Sequence, residues 1–237
     1  MLSICKSIFI IRKNFIYKIR YFNIMFKFTS SEIRDLIIAF IVISLCFAIA
    51  NGGRDTNAVL SILPIVMVGV GAGFILHELG HKYVSMKYGY WAEFKLWPQG
   101  LIFALVTSFF GFVFAAPGAV YTYANYMTDE INGKISIAGP IVNIILALVF
   151  LAIATTVYKS AFTSETSLLI FSICSVGYSI NSFLAVFNLL PIGNLDGSKV
   201  LTWNFGIWIV TIAIAGILTF MSMTIGVENI VRMILGF

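Results

Sequence analysis

Charged and histidine side chains are missing from six long stretches of the chain: residues 36–53, 56–76, 96–128, 135–158, 166–195 and 200–227. A helix that crosses a bilayer needs about 20 apolar residues, within a range of about 17–25. The first, second, fourth, fifth and sixth stretches meet that length, and each predicts one membrane-spanning helix. The third reads differently. Gly100, Gly111, Pro117 and Gly118 interrupt its aromatic runs, Phe109-Phe110 and Phe112-Val113-Phe114, and glycine and proline punctuate regular structure. It predicts a re-entrant hairpin or short β segment between the second and third spans. The fold expected is an all-α polytopic membrane protein with about five to six transmembrane helices. Residues 1–34 form a basic N-terminal leader or interfacial segment, 35–225 the membrane domain and 226–237 a short C-terminal tail.

Composition agrees with the pattern. Of 237 residues, 60% are hydrophobic and 11% charged, whereas soluble domains average about 25% charged residues. A water-soluble enzyme, a disordered chain and a nucleic-acid partner are excluded on that ground, and the lipid bilayer is the expected environment. Cys5, Cys46 and Cys174 are far apart, and the last two lie in apolar runs where cysteine behaves as a small hydrophobe, so no disulfide framework is expected.

Basic residues set the orientation. Seven of the fifteen, Lys6, Arg12, Lys13, Lys18, Arg20, Lys27 and Arg34, precede the first span, which puts the N-terminus in the cytoplasm of a multi-pass cell-membrane protein. The second span then returns inward and ends near Lys82 and Lys87. The first 28 residues carry six basic and no acidic side chains. They read either as a basic interfacial helix on anionic lipid, or as sequence ahead of a start at Met25 with Thr29-x-x-Glu32 as a helix N-terminal signal. A cleaved signal peptide is not expected, since no Ala-x-Ala site follows an apolar core.

The two histidines of the chain, His77 and His81, flank Glu78 and Leu79-Gly80 in an H-E-x-x-H motif. Residues i and i+4 share a helix face, so the two imidazoles can grip one metal ion while Glu78, about 100° around the helix, reaches water beside it. At 1.5 Å per residue His77 lies roughly 15 Å along the helix from Lys87, inside the apolar layer. Ionisable groups at that depth are costly and usually functional. A catalytic zinc site takes three protein ligands, and the third is expected to be a carboxylate. Asp196 leads, following thirty uncharged residues among the helix breakers Pro191, Gly193 and Gly197. Glu93, Asp129 and Glu130 compete. Parity of the spans bears on the choice: Asp196 returns to the cytoplasmic end, beside His77, only if residues 96–128 dip in and come back.

His77-Glu78-x-x-His81 together with Asn188-Leu-Leu-Pro191-Ile-Gly-Asn-Leu-Asp196-Gly197 resembles the site-2 protease family of intramembrane zinc metalloproteases, over about residues 58 to 200. Ala138-Gly139-Pro140-Ile141-Val142-Asn143 resembles the family's Gly-Pro-x-x-Asn element. The resemblance implies one Zn2+ per chain held by His77, His81 and Asp196, Glu78 as general base, and Asn188 and Asn143 as groups that bind substrate or stabilise the oxyanion. Two departures stand out. No segment is long or polar enough for an appended PDZ or nucleotide-sensing domain, and Ile192-Gly193-Asn194 replaces a second proline of some relatives.

The function expected is an intramembrane metalloendopeptidase that cuts peptide bonds within or next to transmembrane segments of a substrate protein. The alternatives are a membrane metal transporter or a non-proteolytic metal-binding scaffold, neither of which has a use for a non-ligating glutamate at position 78, and a membrane-anchored zincin with a soluble catalytic domain, for which the polar sequence is too short. Gly69, Gly71 and Gly73 permit close helix approach ahead of the motif.

Overall fold

The computed structural model describes residues 27–114 and 116–237. The proposed leader therefore lies largely outside the described residues. The first helix, α1 (Ser30–Gly52), starts where Thr29 adopts an extended conformation and its hydroxyl accepts the Glu32 N–H. Asp55 caps α2 (Thr56–Val70) in the same way, through the Asn57 N–H. A π-helical turn over Gly71–Ile75 joins α2 to α3 (Leu76–Lys87), and the combined rod Thr56–Lys87 is 32 residues long.

The third uncharged stretch does not span as a helix. Strand β1 (Trp91–Leu96) leads into α4 (Pro98–Ser108), and the chain returns as β2 (Gly118–Tyr123), antiparallel to β1, with Trp91 opposite Tyr123 and Leu96 opposite Gly118. At 1.5 Å per residue α4 is about 16 Å long, roughly half the hydrocarbon thickness. Its apolar residues pack on α1: Leu101 and Ala104, with Val113 from the segment that follows, join Leu36, Ala39 and Ile43 in one buried cluster.

Helices α5 (Asp129–Ser136) and α6 (Ala138–Val157) run nearly end to end, and Thr128 caps the first. Then come α7 (Glu165–Asn188), α8 (Asp196–Trp203), α9 (Phe205–Thr224) and α10 (Val227–Leu235). Among the described residues, five helical segments are long and apolar enough to cross a membrane: Ser30–Gly52, Thr56–Lys87, Asp129–Val157, Glu165–Asn188 and Phe205–Thr224. The architecture is an all-α membrane protein with a two-stranded sheet inserted after the second span.

Helix α7 runs through the middle, in contact with α2, α6 and α9. Gly69 of α2 lies against Gly177 of α7, and the buried Tyr178 donates its hydroxyl proton to the Leu218 carbonyl of α9 at 3.0 Å. Cys46 and Cys174 are free and buried. The closing segment, expected as a tail, is helical because Val227, Ile230 and Val231 recur at helical spacing and bury against Tyr158, Cys174 and Tyr178. Ile41, Ile102, Phe110, Ile217 and Phe220 remain exposed. In water such a surface would drive association; hydrocarbon is its natural cover.

Candidate metal centre

One turn below the π-helical turn, His77 and His81 project from the same face of α3, and both are buried. Their Nε2 atoms lie 2.9 Å apart. The Asp196 carboxylate arrives from the first turn of α8, with Oδ2 at 3.4 Å from His77 Nε2 and 3.1 Å from His81 Nε2. The hairpin therefore returns the chain so that Asp196 and the histidines share one end of the bundle. The turn that delivers Asp196 is tightly built. The Trp208 indole N–H donates to the Leu189 carbonyl at 2.9 Å, and a Cβ at residue 197 would fall 1.9 Å from that same oxygen, so only glycine follows the aspartate here.

The neighbours fix which imidazole nitrogens carry protons. His81 Nδ1 lies 2.8 Å from the Ile135 carbonyl, an obligate acceptor, so Nδ1 donates. His77 Nδ1 lies 2.6 Å from Asn143 Oδ1. The Asn143 amide nitrogen is committed as donor to the Gly73 carbonyl at 3.1 Å and to Asn181 Oδ1 at 3.0 Å, so its oxygen accepts and His77 Nδ1 also donates. In the neutral imidazoles both Nε2 atoms are then bare lone pairs. Two such lone pairs and a carboxylate oxygen converge on one point, an arrangement that repels itself unless a cation sits there.

The spacing fits the cation. Tetrahedral zinc, with ligand distances of about 2.0–2.2 Å, separates neighbouring donors by about 3.3–3.6 Å; the 3.4 Å between His77 and Asp196 lies in that range, and the separations of 3.1 and 2.9 Å fall a few tenths of an ångström short of it. Space has been left as well: a Cβ at Gly139, at the start of α6, would come within 2.5 Å of both Nε2 atoms. Among the described residues His77, His81 and Asp196 form the group that could hold a metal ion. The other carboxylates are engaged elsewhere. Glu93 accepts hydrogen bonds from Thr29 at 2.5 Å and Ser31 at 3.2 Å, and the Thr29 bond above all holds its carboxyl below the usual range. Glu130 pairs with Lys134, and Asp129 is exposed in the first turn of α5.

Glu78 is buried one position along from His77, and its Oε2 accepts the Val120 N–H of β2 at 3.1 Å. Asn188 is not drawn into this cluster by any hydrogen bond; its amide donates to the Leu184 carbonyl within α7 at 2.9 Å. Asn181, fully buried and donating to the Gly177 carbonyl at 2.8 Å, backs Asn143 and went unread in the sequence. The available signal was a polar side chain in an otherwise apolar helix, which points to interhelical bonding without naming the partner.

The chain is 42% identical over 199 residues to a Methanocaldococcus jannaschii protein provisionally named zinc metalloprotease MJ0611, covering 83% of this chain and 97% of that protein. It is 31% identical over 155 residues to the provisionally named zinc metalloprotease YwhC of Bacillus subtilis, 60% of this chain and 69% of the relative. Against the provisionally named zinc metalloprotease Rip2 of Mycobacterium tuberculosis the identity is 27% over 156 residues, 59% of this chain and 57% of that protein. No family model and no solved structure matches the chain. Likeness of that extent, reaching nearly end to end in the first relative, makes this chain a member of the zinc metalloprotease family, with Zn2+ as its cofactor.

Proposed function

We propose that this enzyme is an intramembrane endopeptidase of the site-2 protease type, cutting peptide bonds within or next to transmembrane segments of substrate proteins. The observation that carries the reading is the burial of two histidines, a glutamate and an aspartate at one end of a membrane-length apolar rod. His77, His81 and Asp196 hold the metal, and Glu78 is the general base. When bound, zinc supplies Lewis acidity, which polarises a peptide carbonyl and lowers the pKa of water to about 7. Glu78 takes the proton from the attacking water and returns it to the leaving amine, the exchange expected of a carboxylate beside but not in the ligand set. Asn143 and the Ile135 carbonyl hold the imidazole rings in the tautomer that presents Nε2. Asn188 and Asn143 are the polar groups proposed to meet substrate or oxyanion; Asn143, whose oxygen serves His77 and whose amide hydrogens serve Gly73 and Asn181, would have to exchange one of those bonds to do so.

A substrate helix has its amides internally bonded, so cleavage requires local unwinding before a scissile carbonyl is accessible. The basic residues ahead of α1 favour an N-terminus and an active site on the cytoplasmic side. The deciding experiment uses purified protein in a bilayer with a membrane-spanning substrate, with and without a chelator. Parental protein is expected to cleave and chelator to stop it. Glu78→Gln is expected to keep one zinc per chain and to lose at least about a hundredfold in rate, the usual scale of general acid–base catalysis. Cleavage retained by that variant overturns the mechanism, and a carrier or scaffold using the same ligands would be indifferent to the change.

A further inference from the structure

The face of α3 that bears Glu78 carries two more polar residues at helical spacing, Lys82 and Ser85, and all three reach the β1–β2 hairpin. Glu78 accepts the Val120 N–H of β2 at 3.1 Å. Ser85 Oγ lies 2.8 Å from Thr122 Oγ1 of the same strand. Lys82 acts through an intermediary. Its ammonium, fully buried, lies 2.5 Å from Glu32 Oε2 of α1, and the other oxygen of Glu32, itself 1% exposed, accepts the Phe94 N–H of β1 at 3.1 Å. Phe94 and Val120 face each other in the sheet register. A closed circuit results: Lys82 to Glu32, Glu32 to Phe94, Phe94 across the ladder to Val120, and Val120 to Glu78, one helical turn from Lys82.

Resting on the reading of Glu78 as general base, we propose that Glu32 and Lys82 are positioning residues for it: their buried ion pair seats the hairpin so that the Val120 amide stays on the Glu78 carboxylate. A buried ion pair is a weak stabiliser compared with apolar residues of the same volume, so the role assigned to this one is to fix the geometry of the hairpin. The Lys82 ammonium is further satisfied by the Lys27 carbonyl at 2.8 Å and by the face of Phe28, 4.2 Å from the ring centre. Glu32 turns its two oxygens to Lys82 and to the strand rather than back to the Thr29 N–H, the capping bond that its position three residues after Thr29 suggests.

Changing one partner alone would strand a buried charge, so the test replaces both, Glu32→Leu with Lys82→Met, which volume and polarity make tolerable. Zinc is expected to stay at one per chain and thermal unfolding near the parental value. Hydrogen exchange at residues 91–96 and 118–123 should accelerate at least about tenfold while the long helices stay protected. On a membrane-spanning substrate kcat should fall at least about tenfold with KM within about twofold, the mark of an interaction that acts in the transition state. Lys82→Arg made alone keeps the pair and should show parental exchange and rate. Where the double variant does not accumulate, Glu32→Asp keeps the charge but shortens the reach to Phe94, and the same accelerated exchange is expected. Parental exchange in the hairpin, or a parental kcat in the double variant, overturns the proposal. If parental protein cleaves nothing, the protease reading fails by itself, and the exchange measurement still decides whether the pair seats the hairpin.

Discussion

Two residues outside the ligand set should prove as necessary as the ligands. Asn143 fixes the His77 ring through a 2.6 Å bond, and loss of such an outer partner typically costs about 10–100-fold in metal affinity or activity. Asn143→Ala is therefore expected to release zinc at competitor concentrations that the parental protein withstands. Gly139→Ala places a methyl group 2.5 Å from both Nε2 atoms. Its zinc content should fall well below one per chain while the circular-dichroism helix signal is unchanged. His77, Glu78 and His81 were legible in sequence because the i, i+4 spacing is local and the helix converts it into one face. The partners of those residues were not. Gly73, Asn181, Ile135 and Val120 reach the site through bonds between residues 38 to 70 positions apart, and no periodicity encodes which helix will lie beside which. Glu32 shows both sides: the local rule placed the helix start correctly, with Thr29 capping the Glu32 N–H, while tertiary packing sent the Glu32 carboxylate to Lys82.

Among the elements, the spans were readable because a bilayer demands length and apolarity, and both are visible in the spacing of charges. The interior of the 96–128 stretch was only partly so: glycines and proline announced interruption, but the pairing of β1 with β2 around α4 depends on contacts with α1 and α3. The short segment between α7 and α8 is where an element-level test is sharpest. Gly197→Ala would drive a Cβ to 1.9 Å from the Leu189 oxygen, a backbone atom that cannot rotate away. The segment must shift and carry Asp196 off the imidazoles. Overpacking of this kind typically costs about 1–3 kcal/mol, so a lowered unfolding temperature together with loss of bound zinc is the expected outcome, measured by thermal denaturation and metal analysis.

For the molecule as a whole, the hairpin decides which side of the membrane each later helix starts from. Single cysteines at Arg54→Cys and Asn132→Cys, in a chain otherwise free of cysteine, test that arrangement with an impermeant thiol reagent. Arg54→Cys is expected to react from outside intact cells and Asn132→Cys only after the membrane is opened. Reaction of both from outside would put the start of α5 on the wrong face and remove the proposed cytoplasmic orientation.

The π-helical turn over Gly71–Ile75 has a consequence for reading such chains. A π turn accommodates one residue more than an α-helix of the same rise, and one residue is worth about 100° of rotation. The half of the rod that packs on α1 and α7 and the half that bears the imidazoles are thus held in a set angular phase. A chain with the same number of residues in which Gly71–Ile75 closed to an ordinary α-helix would keep its hydropathy and both motifs intact, yet its imidazoles would swing by about 100° away from Asp196 towards another neighbour. Identity of residues specifies the ligands here; a local miscount of the helix specifies where they point.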